Sequence, residues 1–310
     1  MPTTPICFLG VSCDAQGVEI SAALFKFDSL GEPNVFLSAR QEGQGSSSDA
    51  ALALVDEVLG NLLRSAILPC GPLGAGPKDW LTGIAFNAGP GGFTAVRGAC
   101  ALAQGLGFGW SKSVAAISSL ETWADAVAHE RVSTIAAGRF EEILVLLDAR
   151  MGELYLGHFQ ATTGDSAEVQ LKLLGEAVLA PSFVSTWIHS NRILHNSLAA
   201  PVSREVDGLG IFANECSTKA WYCGDFQVAY PSLTTQLERE GWSAPECMDH
   251  DRPRLSSKSL LRRAFMLRDH AFQAPSEVSP RYVRNKVALN SGEQQALREQ
   301  NRAVLHPLRA

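Results

Sequence analysis

Three features of this sequence predict an α/β or mixed fold built on a covered sheet. Short apolar runs recur along the chain. They alternate with stretches whose apolar residues fall at helical spacing. Gly/Pro-rich breaks separate the two kinds of segment. Hydrophobic residues make up 46% of the 310 positions, a usual share for a chain that buries a core. The length is a prior for two domains.

Residues 6–11 form an apolar run and 18–25 are rich in strand formers, with the turn-like Ser12-Cys13-Asp14-Ala15-Gln16-Gly17 between them. This predicts an N-terminal hairpin, with 35–38 as a third strand. A Gly/Ser/Gln loop at 42–48 leads to Asp49, a good N-cap. Leu52, Val55, Leu59, Leu62 and Leu63 then predict a helix over 50–67, closed by a Gly/Pro break at 69–77. Residues 81–87 read as a buried strand, broken by Gly89-Pro90-Gly91-Gly92, and a helix begins at Phe93 or Thr94. A strand at 114–117 precedes Ser118, which caps a helix with Glu121 three residues on, a capping-box pattern. Strands at 143–147 and 154–159 flank Asp148-Ala149-Arg150-Met151-Gly152-Glu153, and Pro181 opens a short helix to 188. The segment 191–254 has no period and reads as a long insertion, with a strand near 221–223. A helix over 256–272, an extended 279–287 and a polar tail from 290 complete the chain.

The net charge of −6 excludes a wholly basic nucleic-acid binder. The charge is uneven, because residues 252–310 hold twelve Lys/Arg against four Asp/Glu and the rest is acidic. An Arg-rich helix pairing with an acidic body accounts for this better than an RNA-facing arm, though the Arg residues of 256–272 stay candidates for RNA contact. No signal segment or apolar run of roughly 18 residues is present, so no membrane role is expected. The seven Cys are scattered without C-x-x-C, which points to reduced thiols and a cytoplasmic protein.

The sharpest local feature is Asn87-Ala88-Gly89-Pro90-Gly91-Gly92-Phe93-Thr94-Ala95-Val96-Arg97. A strand running through Gly89, Gly91 and Gly92 into a helix start exposes backbone N–H groups to an anion. Thr94 can cap and Arg97 can add a guanidinium; the other reading is a tight structural turn. In the next helix Ala95, Ala99, Ala103 and Gly107 place one small residue per turn on a single face. Something packs close there, either the chain's own sheet or a partner helix. Asp148, Arg150 and Glu153 offer acid/base groups, but a turn held by an Asp–Arg pair is the simpler reading. There is no P-loop, no G-x-G-x-x-G, no H-E-x-x-H and no G-x-S-x-G, so standard catalytic templates fail.

Together these segments resemble the TsaB family, also called YeaZ. Gly89-Pro90-Gly91-Gly92-Phe93-Thr94-Ala95-Val96-Arg97 resembles its G-P-G-S-F-T-G-V-R signature, and Ala103-Gln104-Gly105-Leu106 its A-[KQ]-G-L. Ile117-Ser118-Ser119-Leu120-Glu121 is similar to V-S-[ST]-L-[ED]. Leu147-Asp148-Ala149-Arg150-Met151-Gly152-Glu153-Leu154-Tyr155 is similar to I-D-A-R-[MKR]-G-E-[VL]-Y, and Pro280-Arg281-Tyr282-Val283-Arg284 to P-x-Y-[LV]-R.

The resemblance implies a two-lobed actin-like ATPase fold related to RNase H, with a degenerate second lobe. The lobes would be 1–112 and 113–290, with an insertion at 191–254 and a tail at 291–310. It also implies a non-catalytic scaffold and activating subunit that binds TsaD as a heterodimer. TsaE joins them for threonylcarbamoyl transfer to the adenosine next to the anticodon, in tRNAs reading codons that begin with A. A homodimer stays open, and contact with tRNA would be indirect or weak. No cofactor is expected for this chain, with ATP and Mg²⁺ used by its partners. The partner-facing helices would be 49–67, through Leu52, Val55 and Leu59, and 94–109, through Ala95, Ala99, Ala103 and Gly107.

Three departures bear on this. Ser12 stands where the family has the Asp of I-D-T-[SA], and a hydroxyl is a poor Mg²⁺ ligand. Glu42-Gly43-Gln44-Gly45-Ser46 lacks the family's His, and 191–254 is longer than usual. The rival reading is a stand-alone kinase of the same fold acting on small molecules, or a glycoprotease-like hydrolase. The missing Asp and His pair argue against both.

Overall fold

A computed structural model of the chain describes residues 6–14, 17–26, 31–42, 48–65, 76–131, 140–163, 168–198, 219–245 and 255–283. Two α/β lobes face each other, each built on one sheet, as the fold class expected from the resemblance requires.

The first sheet opens with the predicted hairpin, β1 (Ile6–Cys13) and β2 (Gly17–Phe25), followed by β3 (Val35–Glu42). The β1–β2 turn is closed by Asp14, whose Oδ1 accepts from the Gly17 N–H at 2.9 Å. β4 (Gly83–Gly89) and β5 (Val114–Ser118) lie parallel to β1, and β11 (Phe272–Gln273) pairs with β5 at the edge. The order β11-β5-β4-β1-β2-β3 contains the RNase H-like arrangement, with β2 antiparallel to its neighbours. Alternation sorts the side chains. Cys7, Leu9 and Val11 face α1 (Ser48–Arg64) and α3 (Phe93–Trp110), while Phe8 and Phe25 face α7 (Ser257–Met266). Phe25 stacks on Phe265 at 4.5 Å. A single turn, α2 (Pro77–Trp80), precedes β4.

The second sheet is a long antiparallel hairpin, β6 (Phe140–Arg150) and β7 (Glu153–Thr163), flanked by β8 (Val169–Leu179) and by the parallel β9 (Ala220–Cys223) and β10 (Trp242–Ser243). α4 (Ser119–Arg131) covers one face through Leu120, Trp123 and Val127. On the other face lie α5 (Val184–Leu198) and α6 (Pro231–Arg239).

Several expectations change. Asp49 sits in the first turn of α1 and does not cap it, since the helix starts at Ser48. β8 was not foreseen, although Val169-Gln170-Leu171-Lys172-Leu173 alternates apolar and polar residues as a half-buried strand does. The segment 191–254 is not patternless: it carries the end of α5, then β9, α6 and β10, with Leu233 and Leu237 of α6 in the core. The last helix stops at Met266 rather than 272, and the chain turns back so that Phe272 stacks on Phe8 at 4.9 Å. The lobe boundary at 112 does not follow the sheets, since β5, α7 and β11 all belong to the first lobe. The lobes are interleaved because the chain crosses to the second sheet and returns. Most of the 42–48 loop, the core of the 69–77 break and the tail lie outside the described residues. No helix among the described residues is long and apolar enough to cross a membrane.

α4 and α7 form the layer between the sheets. Arg262 of α7 donates through Nε and Nη2 to Asp125 Oδ2 of α4 at 2.9 and 2.7 Å, and Nη2 also donates to Ser259 Oγ. Arg263 is buried too, with Nη2 3.5 Å from Glu121. The suggestion that the Arg residues of this helix face RNA is therefore corrected for both, because burial between the lobes removes them from any polyanion.

Candidate functional site

A cleft of about 280 Å³ opens between the lobes. Its first-lobe wall is the end of β1 at Cys13 and Asp14, together with Asn87 and the turn Pro90-Gly91-Gly92-Phe93. Across it stand Ser119 and Trp123 of α4, Leu147 to Met151 at the β6–β7 corner, Tyr155 and Asp225. Residues 281–283 close the rim. Three segments picked from the sequence for their resemblance to family motifs, far apart in the chain, thus meet at one place.

The Gly-rich turn carries the first sheet into a helix. Gly89 has φ +99° and carries the chain from β4 toward α3. Gly92 is the N-cap and offers no side chain, and the first intrahelical bond runs from the Val96 N–H to the Gly92 carbonyl. The N–H groups of Phe93, Thr94 and Ala95 precede that bond and have no intrahelical acceptor. Thr94 does not cap, because the helix has already begun. Arg97 does not turn to the cleft either. Its guanidinium lies 3.7 Å over the Phe93 ring, and Nε donates to Tyr282 Oη at 2.8 Å.

The Asp148 cluster is a turn held by an ion pair, the simpler of the two readings. Asp148 accepts from the Arg150 N–H at 2.8 Å, and Arg150 Nη1 lies 3.1 Å from its carboxylate. Arg150, Met151 and Gly152 all have positive φ, giving a tight corner. Glu153 stands outside the cleft, paired with Arg150 across the hairpin, and its carbonyl accepts from Tyr230 Oη.

Asp225 was not foreseen. It follows Gly224, whose φ is +127° and where a Cβ would lie 1.8 Å from the Leu146 carbonyl oxygen. That close approach brings Asp225 Oδ1 to accept from the Asp148 N–H at 2.8 Å. Burial raises the Asp225 pKa most, the Asp148 N–H opposes it, and the Asp148 charge raises it further. Trp123 was missed as well, although it lies on a helix the sequence placed, and Asn87 and Tyr155 sit in motif segments quoted above without having been singled out as site residues.

Chemically the cleft joins an apolar, aromatic interior to a pair of neighbouring carboxylates and an uncapped helix start. Asp14 is engaged by Arg40 at 2.8 Å. Cys13 is held protonated, its pKa pushed up to about 11 by burial and by Asp14, with Arg40 opposing, so it is a poor nucleophile. Ser12 is buried and contributes no carboxylate. Among the described residues no three His, Cys, Asp or Glu groups lie close enough to share a metal.

The helices expected to face a partner bury the stripe named for that role. Val55, Leu59, Ala99 and Ala103 are in the first-lobe core. At Gly107 a Cβ would lie 2.7 Å from Val114 Cγ2 and 2.9 Å from Pro275. Of that set, Leu52 is exposed and Ala95 half-buried. The opposite face of α3 is open: Gly98, Gly105 and Gly109 have nothing within 4 Å of a Cβ, and Phe108 is 62% exposed.

A family model described as TsaD, tRNA N6-adenosine threonylcarbamoyltransferase, matches residues 74–205. The chain is 34% identical over 114 residues to the tRNA threonylcarbamoyladenosine biosynthesis protein TsaB of Haemophilus influenzae, covering 36% of this chain and 39% of that relative. It is 33% identical over 104 residues to TsaB of Escherichia coli, covering 34% and 41%. The matches thus span about two-fifths of the length of these curated relatives. A solved structure of YeaZ from Pseudomonas aeruginosa matches with a TM-score of 0.54 at 20% identity, covering 90% of this chain and 100% of that one. At that identity the likeness speaks for the fold.

Proposed function

We propose that this chain is a TsaB/YeaZ-type protein and that it serves tRNA threonylcarbamoyladenosine synthesis in the cytoplasm as a non-catalytic scaffold and activating subunit. The observation that carries the reading is the meeting of the motif segments 89–97, 117–121 and 147–155 around one cleft. The 34% identity over 114 residues to a curated TsaB, from which those motifs are not separate, points the same way. The neutral Ser12 and the engagement of Arg97 by Phe93 and Tyr282 weigh against phosphate chemistry by this chain alone.

In this reading TsaD docks on the outer faces of α1 and α3, where Leu52, Leu63 and Phe108 are exposed and the glycines of α3 permit close approach. TsaE joins the pair, and ATP with Mg²⁺ is used by the partners. Depleting the protein should lower threonylcarbamoyladenosine in bulk tRNA, and an unchanged level would overturn the reading. Purified TsaD should be captured by the wild-type chain and lost on Phe108→Asp, which leaves the fold intact because that ring faces solvent. Robust ATP turnover by the single chain would favour the kinase alternative.

A further inference from the structure

We propose that residues 274–283 form a strap that sets the opening of the interlobe cleft, with the contact between Arg281 and Glu176 as its latch. The strap leaves the edge of the first sheet after β11 and is pinned to the first lobe at several points. Val278 is buried in the first core. Gln104 Nε2 of α3 donates to the Pro275 and Val278 carbonyls at 3.0 and 3.1 Å. The Arg281 N–H donates to the Ala88 carbonyl at 2.7 Å, and Tyr282 Oη accepts from Arg97. Gly89 makes the crossing feasible, since a Cβ there would lie 3.0 Å from the Arg281 carbonyl oxygen.

To the second lobe the strap reaches with a side chain. Arg281 Nη2 donates to both carboxylate oxygens of Glu176 on β8, at 2.9 and 2.7 Å. Arg281, Tyr282 and Val283 themselves line the cleft. One residue therefore holds the Gly-rich turn through its backbone and the opposite sheet through its guanidinium. The side chains of the pair are 40% and 30% exposed, so the latch is salt-sensitive and reversible. It is suited to release by any anion that competes for Arg281. This inference does not depend on the identity of a partner.

Hydrogen exchange of the full chain, read by mass spectrometry, tests it. In Glu176→Gln, peptides covering 87–92 and 147–155 should exchange about two- to fivefold faster, the size an exposed pair can supply. Raising NaCl should speed the same peptides in the wild type and leave the variant unchanged. The charge swap Glu176→Arg with Arg281→Glu should restore protection. Three results would overturn the proposal: no change in those peptides, loosening confined to 274–283, or uniform acceleration that includes β1.

Discussion

Asp125 and Arg262 carry the seam between the lobes. Their side chains are 5% and 7% exposed, and every polar contact between them lies within the protein. Removing one partner of a buried pair leaves the other uncompensated, at a cost of about 3–5 kcal/mol. Asp125→Ala should therefore lose about that much stability in urea unfolding, whereas Asp49→Ala in the first turn of α1 should cost under about 1 kcal/mol. Glu142 supplies a pH signature. Burial opposes its ionisation, but hydrogen bonds from His158 at 2.9 Å and Arg192 at 2.7 Å outweigh that, and its pKa is lowered from the usual 4.5. On the acid side the unfolded chain binds the proton more readily, so stability rises with pH there. The contribution is present above pH 4.5 and disappears as pH falls through the lowered value. Glu142→Gln should flatten the acid limb of stability against pH, measured as urea midpoints between pH 3 and 6, roughly the range over which a carboxylate titrates.

α3 shows how one element serves two surfaces. The sequence displays its small residues plainly, and a helical wheel places Ala99, Ala103 and Gly107 on one stripe and Gly98, Gly105 and Gly109 on another. Which stripe is covered depends on where the sheet lies. The contrast is measurable in thermal unfolding of the free chain. Gly105→Ala should stabilise by up to ~1 kcal/mol, since it gains helix propensity in open space. Gly107→Ala should destabilise, because its Cβ meets Val114 and Pro275. Ala103→Trp should cost about 3 kcal/mol or more by overpacking the core, so it would report on folding rather than on partner binding. If Gly105→Ala stabilises the chain yet weakens TsaD capture, the open face is the docking face.

At the scale of the whole molecule, two sheets do not make two separable units. The chain builds five strands of the first sheet, crosses through α4 to the second, and returns with α7 and β11 to complete the first. Shared packing of α4 against α7 predicts one cooperative transition. Far-UV circular dichroism and tryptophan fluorescence should give coincident urea curves, and two resolved steps would show that the lobes unfold independently. Much of this architecture was legible locally. An apolar run marked β1, a stretch of strand formers marked β2, the Gly/Pro run marked the start of α3, and the ordered motifs pointed to the fold class. Periodicity and turn chemistry are properties of neighbouring residues, so one sequence suffices to read them. The joining of Gly224-Asp225 to the Asp148 corner was not legible, nor the inward turn of Arg262 and Arg263, nor the diversion of Arg97 to Phe93 and Tyr282, nor the path of residues 281–283 over Gly89. Each depends on at least one contact between segments tens to hundreds of residues apart, and burial, which fixes what a charged side chain can do, exists only once those segments have packed.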